Sequence, residues 1–176
     1  NKFALYQLPT FKKNEIFYYD KIFITTQENL PYQTIITQLL KSRVPFLLIG
    51  RDSCGKSFLM KHILSQLPSL HSIKTNLTYN TQSTSFESYI ISHMDQIKKN
   101  ILGDKFDRSV LLYIDDIHIA KKDEDNNVQI YELLRQMLST NATYNNTDNY
   151  FCYFDKFTIV NVGNYVQTAN TLKHKL

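Results

Sequence analysis

Residues 50–57 follow the pattern G-x-x-x-x-G-K-[S/T], which spaces two glycines, a lysine and a hydroxyl as a phosphate-binding loop requires. The glycines permit backbone angles that other residues resist, so the loop's N–H groups can point inward at phosphate oxygens. The positive end of the helix that follows reinforces this field. The lysine would place a point charge on the outer phosphates, and the final hydroxyl would bind Mg²⁺.

The context of the loop supports this interpretation, because an apolar strand precedes it and a helix follows directly. A chance match is the alternative, and it is disfavoured because the chain has only four glycines, two of which fall at the required positions. Ser57 is also predicted to be a ligand of Mg²⁺. The predicted nucleotide-binding residues are Gly50, Arg51, Asp52, Ser53, Cys54, Gly55, Lys56 and Ser57.

Two adjacent acids, Asp115 and Asp116, follow an apolar run over residues 110–114 that predicts a strand. Asp115, at the carboxyl end of this strand, would hold Mg²⁺ through its water shell. Asp116 would act as the general base that orients the attacking water, although its side chain is one methylene shorter than that of Glu. A solvated acidic turn is the alternative, and the accompanying phosphate loop favours the catalytic interpretation.

Two further polar residues are candidates for the site. Asn164 follows an apolar strand predicted at 157–162. In P-loop ATPases of the additional-strand kind, a polar residue here lies between the phosphate loop and the acidic strand and can hold the attacking water. An ordinary loop Asn in an Asn-rich chain is the alternative. Arg135 lies in a predicted helix, where it could act across an interface, but a structural ion pair is the favoured interpretation.

Composition places the chain among ordinary globular domains. The 176 residues are 43% hydrophobic and 20% charged, and they suffice for one domain. No apolar run approaches the roughly 20 residues that span a bilayer. The net charge of +4 is spread over separated lysine pairs, which gives little support to a nucleic-acid surface. Cys54 and Cys152 have neither metal-site nor disulfide spacing, which indicates reduced thiols in a cytosolic compartment.

The elements that must position the candidate residues alternate between strand and helix. Residues 1–30 predict a strap with one short strand near 21–25, and residues 140–150 predict a surface loop. Because the strands are continuous apolar runs, the sequence predicts an α/β, three-layer fold with a central parallel sheet flanked by helices. Strands are predicted at 45–49, 72–77, 109–114 and 157–162, and helices at 32–42, 58–67, 83–101 and 128–138.

At several points the sequence resembles the AAA+ modules of dynein heavy chains, most closely the third module of the six-module ring. The similar segments occur in the family's order and spacing over nearly the whole chain. They are residues 8–40, similar to the entry strap and first helix; 45–50 (PFLLIG), to PVLLVG; 75–81 (TNLTYNT), to INFSAQT; 114–119 (IDDIHI), to IDDLNMP; 132–136, identical to ELLRQ; and 157–160, to the strand before PPGGGRN.

The resemblance implies a P-loop NTPase fold of the AAA+ large-subdomain type over residues 31–176, preceded by the strap at 1–30, with the lid outside this chain. It implies an ATPase module that binds ATP or ADP with Mg²⁺ in a motor that moves along microtubules. A third-type module would regulate release from the track. The implied partners are neighbouring AAA+ modules, the microtubule through other parts of the motor, and dynein intermediate and light chains, without nucleic acid or membrane. The implied location is cytoplasm and cytoskeleton, and the second acid of Asp115-Asp116 favours the cilium or axoneme.

Three segments depart from the family pattern. His118 and Ala120 stand where the family has Asn and Pro, residues 125–128 replace Tyr-Gly-x-Gln, and residues 165–171 replace the PPGGGRN loop. Because these segments surround the nucleotide and the module interface, binding is better supported than hydrolysis. Two alternatives remain open: a scaffold module, nucleotide-bound or empty, without turnover, and an unrelated P-loop ATPase or kinase.

Overall fold

The computed structural model describes residues 22–124, 127–145 and 150–164. Strands and helices alternate along these residues, as predicted. The helices are α1 (Asn29–Lys41), α2 (Lys56–Ser65), α3 (Ser83–Ser92) and α4 (Gln129–Thr140). The strands are β1 (Phe46–Gly50), β2 (Leu70–Asn76), β3 (Asp95–Lys98), β4 (Ile101–Gly103), β5 (Ser109–Asp115), β6 (Ala142–Asn145), β7 (Tyr150–Phe154) and β8 (Phe157–Asn164). In the described part of the chain, no helix combines the length and apolar character needed to cross a bilayer.

The central sheet has the strand order β1-β8-β5-β2, and all of its neighbouring strands run parallel. This confirms the predicted parallel sheet and its four strands. The carboxyl ends of parallel strands meet at one edge, where α/β proteins bind their ligands. The loop after β1, the acids that end β5, and the last residue of β8 therefore lie along the same edge.

Side chains of β5 alternate between two apolar layers. Leu111 and Tyr113 pack against α1 and α2, while Val110, Leu112 and Ile114 pack against α3 and α4. All five are at most 2% exposed, which is why the strand is a continuous apolar run in the sequence. Helices thus cover both faces of the sheet, and the predicted three-layer arrangement is confirmed.

The predicted helix over residues 83–101 is wrong in its second half. Helix α3 ends at Ser92, and β3 and β4 form an antiparallel hairpin after it. Asn100, between the two strands, has a φ of 64°, a left-handed conformation that asparagine adopts more readily than most residues and that reverses the chain. Helical spacing of the apolar residues in this segment concealed the turn.

The predicted surface loop at 140–150 is also wrong in part, because residues 142–145 form β6, which pairs antiparallel with β7. Asn141 ends α4 in a left-handed conformation, with a φ of 50°, and its side-chain amide donates to the carbonyl of Phe154 at 2.8 Å. Thr143 is fully buried. The hairpins form a second sheet with the order β3-β4-β7-β6, which covers part of the α3 and α4 side of the core.

The predicted strand near residues 21–25 is not formed in the part of the chain that the structure describes, which begins at residue 22. Residues 22–28 lead without regular structure into α1. The rest of the predicted strap, at 1–21, lies outside the described residues, as do 125–126 and 165–176, which carry most of the departures from the family pattern.

Asp104, in the turn between the second sheet and β5, fixes the connection between the two sheets. Its buried carboxylate accepts hydrogen bonds from the Arg108 side chain, Nε at 3.0 Å and Nη2 at 2.8 Å. It also accepts from the backbone N–H groups of Phe106 and Arg108. The hydrogen bond from the Arg108 guanidinium holds the pKa of Asp104 well below its ordinary value of 3.8.

We expect Asp104→Asn to lower the free energy of unfolding by about 2 kcal/mol at pH 7, because hydrogen bonds to a charged group are lost. A lowered pKa stabilises the fold above the ordinary carboxyl pKa, and this contribution disappears as the pH falls through the folded-state value. The difference between the two proteins should therefore shrink below pH 3.8. Urea titrations at several pH values measure it.

The matched control is Asp107→Asn, which removes an exposed carboxylate from the same turn. Its ion pair with Lys156 lies at the surface, where such pairs contribute little. Equal losses of stability in the two variants would contradict a special role for Asp104.

Candidate nucleotide site

Of the two glycines in the loop after β1, only Gly55 has a positive φ. Gly55 has a φ of 84° and turns the chain into α2, which begins at Lys56. Gly50 ends β1 without a positive φ, so the predicted need for unusual angles there is wrong. A Cβ at Gly50 would lie 3.2 Å from the Cys54 sulfur and 3.4 Å from Cδ of Lys56. Gly50 leaves room for these two side chains, and a larger residue there would crowd them.

Lys56 holds its ammonium group inside the curve of the loop. Nζ donates to the carbonyls of Arg51 at 2.7 Å and Gly50 at 3.1 Å, and it lies 3.6 Å from the Cys54 sulfur. A positive charge therefore stands at the N-terminus of α2, where the helix dipole also favours anions. This arrangement is suited to phosphate oxygens.

One cavity of about 500 Å³ gathers most of the predicted site residues. Loop residues 52–57 line it together with Asp115, Asp116 and Asn164. Gly50 instead lines a neighbouring cavity. Two lining residues that the sequence motif did not single out, Phe58 and Lys61, lie on α2. Their position within the first two turns after the loop is the signal that could have identified them.

Asp115 is buried, and both of its carboxylate oxygens have partners. Oδ2 accepts a hydrogen bond from the Tyr113 hydroxyl at 3.0 Å, and Oδ1 accepts from the backbone N–H of Asp116 at 3.1 Å. Tyr113 reaches the carboxylate because residues two apart on a strand lie on the same face, which here is the face of α2. Tyr113 has no separate signal in the sequence, because it lies within an apolar run.

The Tyr113 hydroxyl also connects the acids to the loop. Burial, followed by the charge of Asp115, raises the pKa of Tyr113 well above its ordinary range, and a hydrogen bond with the Ser57 side chain offsets part of this rise. The phenol therefore remains a protonated donor, placed between a loop hydroxyl and the carboxylate of the strand.

Asp116 directly follows β5 in a left-handed conformation, with φ 57° and ψ 38°. This kink starts a 3₁₀ turn at Ile117–Ile119 and leaves the half-buried Asp116 on the wall of the cavity. Asp and Asn occupy the left-handed region more readily than other residues with a Cβ. The residue type thus fits both the backbone and the predicted chemistry.

Asn164, the last residue of β8, is next to His118 of the 3₁₀ turn. Its backbone N–H donates to Nδ1 of His118 at 3.2 Å, and its side-chain amide lies 3.4 Å from Nε2. Asn164 lines the same cavity as the loop and the acids. The fold therefore places Asn164 where the sequence motif predicted it to be.

The donor set fits Mg²⁺. Ser57 supplies a hydroxyl and Asp115 a carboxylate to one cavity, and Mg²⁺ is usually held by one or two such oxygen ligands together with phosphate oxygens and water. The hydrogen bonds to Asp115 from Tyr113 and Asp116 orient the carboxylate in the manner of outer-shell groups at metal sites.

Arg135 is exposed on α4 and pairs with Glu132 one turn earlier, Nε to Oε2 at 2.8 Å. Both side chains are more than 60% exposed. The favoured interpretation of Arg135 as an ion pair is therefore confirmed, and such a surface pair contributes little to stability.

A second cavity of about 420 Å³ adjoins the loop at Gly55 and Lys56. Its walls are mostly apolar and come from the segment before α1, from α1 and β1, and from α2. Phe23, in one wall, stacks on the ring of His62, with centroids 4.1 Å apart. Motif analysis did not identify this cavity, because its lining comes from four separate segments.

Comparisons with known proteins agree with this site. Residues 11–176 match the family described as the P-loop containing dynein motor region. Dynein heavy chain-like protein 2 of Plasmodium falciparum (isolate 3D7) is 31% identical over 126 residues, which cover 71% of this chain and 2% of that protein. Human dynein axonemal heavy chain 6 is 24% identical over 156 residues, covering 87% of this chain and 4% of the relative.

Human dynein axonemal heavy chain 2 is 25% identical over 129 residues, or 72% of this chain and 3% of the relative. The chain thus spans 2% to 4% of the length of these relatives. The family match covers nearly all of the chain and extends through every site residue described above. The chain therefore belongs to the P-loop containing dynein motor region family, as its resemblance to dynein AAA+ modules predicted.

Proposed function

We propose that this chain is an ATP-binding and ATP-hydrolysing module of a dynein heavy chain, which contributes to and regulates ATP-driven movement along microtubules. The observation that carries the proposal is the single cavity lined by loop residues 52–57, Asp115, Asp116 and Asn164. A binding loop alone would support nucleotide binding. The two carboxylates and the amide beside it supply the groups that hydrolysis requires.

Phosphate binding would rest on the loop and the start of α2. Lys56 holds its charge inside the loop by hydrogen bonds to two carbonyls, so outer phosphate oxygens would meet an ammonium already in position. Residues 50–57 are the proposed nucleotide-binding residues. Because the loop backbone does most of this work, binding depends on a short, continuous stretch of chain.

The adjoining apolar cavity is the proposed site of the base. It meets the loop at Gly55 and Lys56, which places its aromatic and aliphatic walls, including Phe23 and Tyr32, next to the phosphate site. Ligand sites are commonly apolar with a few polar groups, and an adenine ring suits such walls. The segment before α1 thereby has a proposed role in binding as well as in packing.

Hydrolysis would use Asp116 and Asn164. Asp116 is the proposed general base, because Asp115 already accepts two hydrogen bonds and is the proposed Mg²⁺ ligand with Ser57. Asn164, expected from the sequence to hold the attacking water, would lie beside the outer phosphate. Bound Mg²⁺ would neutralise developing charge on the phosphate oxygens. A scaffold module, nucleotide-bound or empty and without turnover, is the alternative that the substitutions below test.

The proposed setting follows from the family and from the names of the relatives, two of which are axonemal heavy chains. The proposed partners are neighbouring AAA+ modules of the same chain, microtubules through other parts of the motor, and dynein intermediate and light chains. The proposed location is the cytoskeleton of a cilium or axoneme. A third-type, regulatory module remains our proposal for its place in the ring, with a strap at 1–30 and the large subdomain at 31–176.

We expect Lys56→Ala to abolish nucleotide occupancy at this module in the intact heavy chain. The loss of charged hydrogen bonds worth about 1.5–3 kcal/mol each corresponds to at least tenfold weaker binding. A fluorescent ATP analogue, titrated with the other modules silenced, measures it. Lys61→Ala is the control, since it removes the same charge from the cavity wall outside the loop, and it should weaken binding far less. Unchanged binding by Lys56→Ala would refute the assignment.

We expect Asp116→Asn to slow ATP hydrolysis at this module by about 10²–10⁴-fold and to leave binding nearly unchanged. Asparagine keeps the shape and accepts the left-handed backbone, so the change removes the charge and one acceptor oxygen without altering the turn. Asp115→Asn should instead weaken binding of Mg²⁺-nucleotide. Single-turnover assays on the intact chain with the other modules silenced separate the two. Turnover untouched by Asp116→Asn would favour a scaffold module.

We expect Tyr113→Phe to lower the affinity for Mg²⁺ in the nucleotide complex about tenfold, as is typical when a group that orients a metal ligand is lost. The benzene ring still fills the core, and the donor to Asp115 is absent. Binding measured across an Mg²⁺ titration, and again in EDTA, separates metal from nucleotide effects. Tyr89→Phe is the control, since the Tyr89 hydroxyl donates to the backbone carbonyl of Lys74 on β2, away from Asp115. Equal shifts in both variants would contradict the role of Tyr113.

A further inference from the structure

The 3₁₀ turn that carries His118 is held firmly from two sides. The Tyr131 hydroxyl of α4 donates to the carbonyl of Ile117 at 2.7 Å. On the other side, the turn packs closely on Gly163 of β8, where an added Cβ would lie 3.0 Å from Cγ2 of Ile117. The position of the His118 ring relative to the end of β8 is therefore fixed by packing.

Both ring nitrogens of His118 face Asn164. Nδ1 accepts a hydrogen bond from the Asn164 backbone N–H at 3.2 Å, and Nε2 is 3.4 Å from the side-chain amide. A neutral imidazole has one acceptor nitrogen and one donor nitrogen. The two nitrogens therefore need opposite kinds of partner from the same residue.

The backbone contact decides which nitrogen carries the proton. A backbone N–H can only donate, so Nδ1 must be the acceptor and Nε2 must carry hydrogen. The structure places the amide nitrogen of Asn164 opposite Nε2. Because two N–H donors cannot face each other favourably, the amide must be turned so that its oxygen faces Nε2. A half-turn about the last side-chain bond exchanges oxygen and nitrogen of an amide without moving other atoms, and hydrogen-bond partners decide between the two orientations. The amide NH₂ then lies at the end of the amide away from Nε2, on a residue that lines the cavity.

We infer that His118 is a positioning residue that fixes the amide of Asn164, so that its NH₂ donates to the terminal phosphate of ATP. This inference rests on the proposed function and deepens it. Phosphate oxygens only accept hydrogen bonds, so an NH₂ attracts them, while an amide oxygen in the same place would repel them. Asp116, an acceptor, is then free for the protons of water. His118, which stands where the family has Asn, would thus orient the amide of Asn164.

The test measures discrimination between ATP and ADP, because ADP lacks the phosphate that Asn164 would contact. The protein is the intact heavy chain with the other modules silenced, and the probes are a non-hydrolysable ATP analogue and ADP, each with Mg²⁺. His118→Phe keeps a flat ring and removes both nitrogens. We expect about tenfold weaker binding of the ATP analogue and unchanged binding of ADP. His118→Gln keeps a donor near Nε2 and should restore most of the affinity.

A double-mutant cycle separates positioning from a merely structural effect. Asn164→Ala should weaken binding of the ATP analogue to a similar extent, and adding His118→Phe to it should cause no further loss. Full additivity of the two changes, or an equal loss of ATP and ADP affinity in His118→Phe, would overturn the inference. The readout is binding, so the test of His118 does not depend on hydrolysis. A chain that binds ATP but does not hydrolyse it would contradict only the proposed catalytic role of Asp116. Failure of the unchanged chain to bind either nucleotide would overturn both proposals.

Discussion

The pairing of β8 between β1 and β5 is the constraint on which the site depends. Its register places Asn164 directly opposite Gly50, where the phosphate loop begins, and Asn161 opposite Ile114, just before the acids. Three segments that are more than 40 residues apart in sequence therefore meet at one sheet edge through backbone hydrogen bonds. A slip of one residue would turn every side chain of β8 to the opposite face and remove Asn164 from the cavity.

The same sheet explains why polar groups are tolerated beneath the loop. Tyr113 and Asp115 point from β5 into the layer that contains α2, and burying either one alone would be costly. Each satisfies the other, and the Ser57 side chain completes the contact with the loop. The apolar packing of the layer thus holds a short polar chain from strand to loop, and the proposed metal ligands inherit their orientation from it.

Local patterns in the sequence predicted the central fold and most of the residues that line the candidate cavity, because the loop motif, the acid pair and the four apolar strands are each continuous segments. The hairpin at 95–103 and the pairing of β6 with β7 were not predicted. These strands are short. The first pair turns at Asn100, and the second begins after Asn141 ends α4; both asparagines have left-handed backbones, which apolar periodicity does not reveal. Tyr113 and His118 were missed as functional groups for a different reason. Their partners are identified only once strand register and the packing of the 3₁₀ turn are known.

The proposed binding residues and the proposed catalytic residues differ in how many separate segments of the chain they come from. Most of the proposed phosphate contacts come from one strand, loop and helix that are continuous in sequence. The proposed catalytic groups come from the end of β5, the 3₁₀ turn and the end of β8, whose mutual positions depend on packing by Tyr131 and Gly163. Misplacement by about 1 Å can cost a hundredfold in rate. A force that shifts the turn relative to β8 would therefore change the proposed turnover more than the proposed nucleotide binding, as the proposed regulatory role in a ring of neighbours requires.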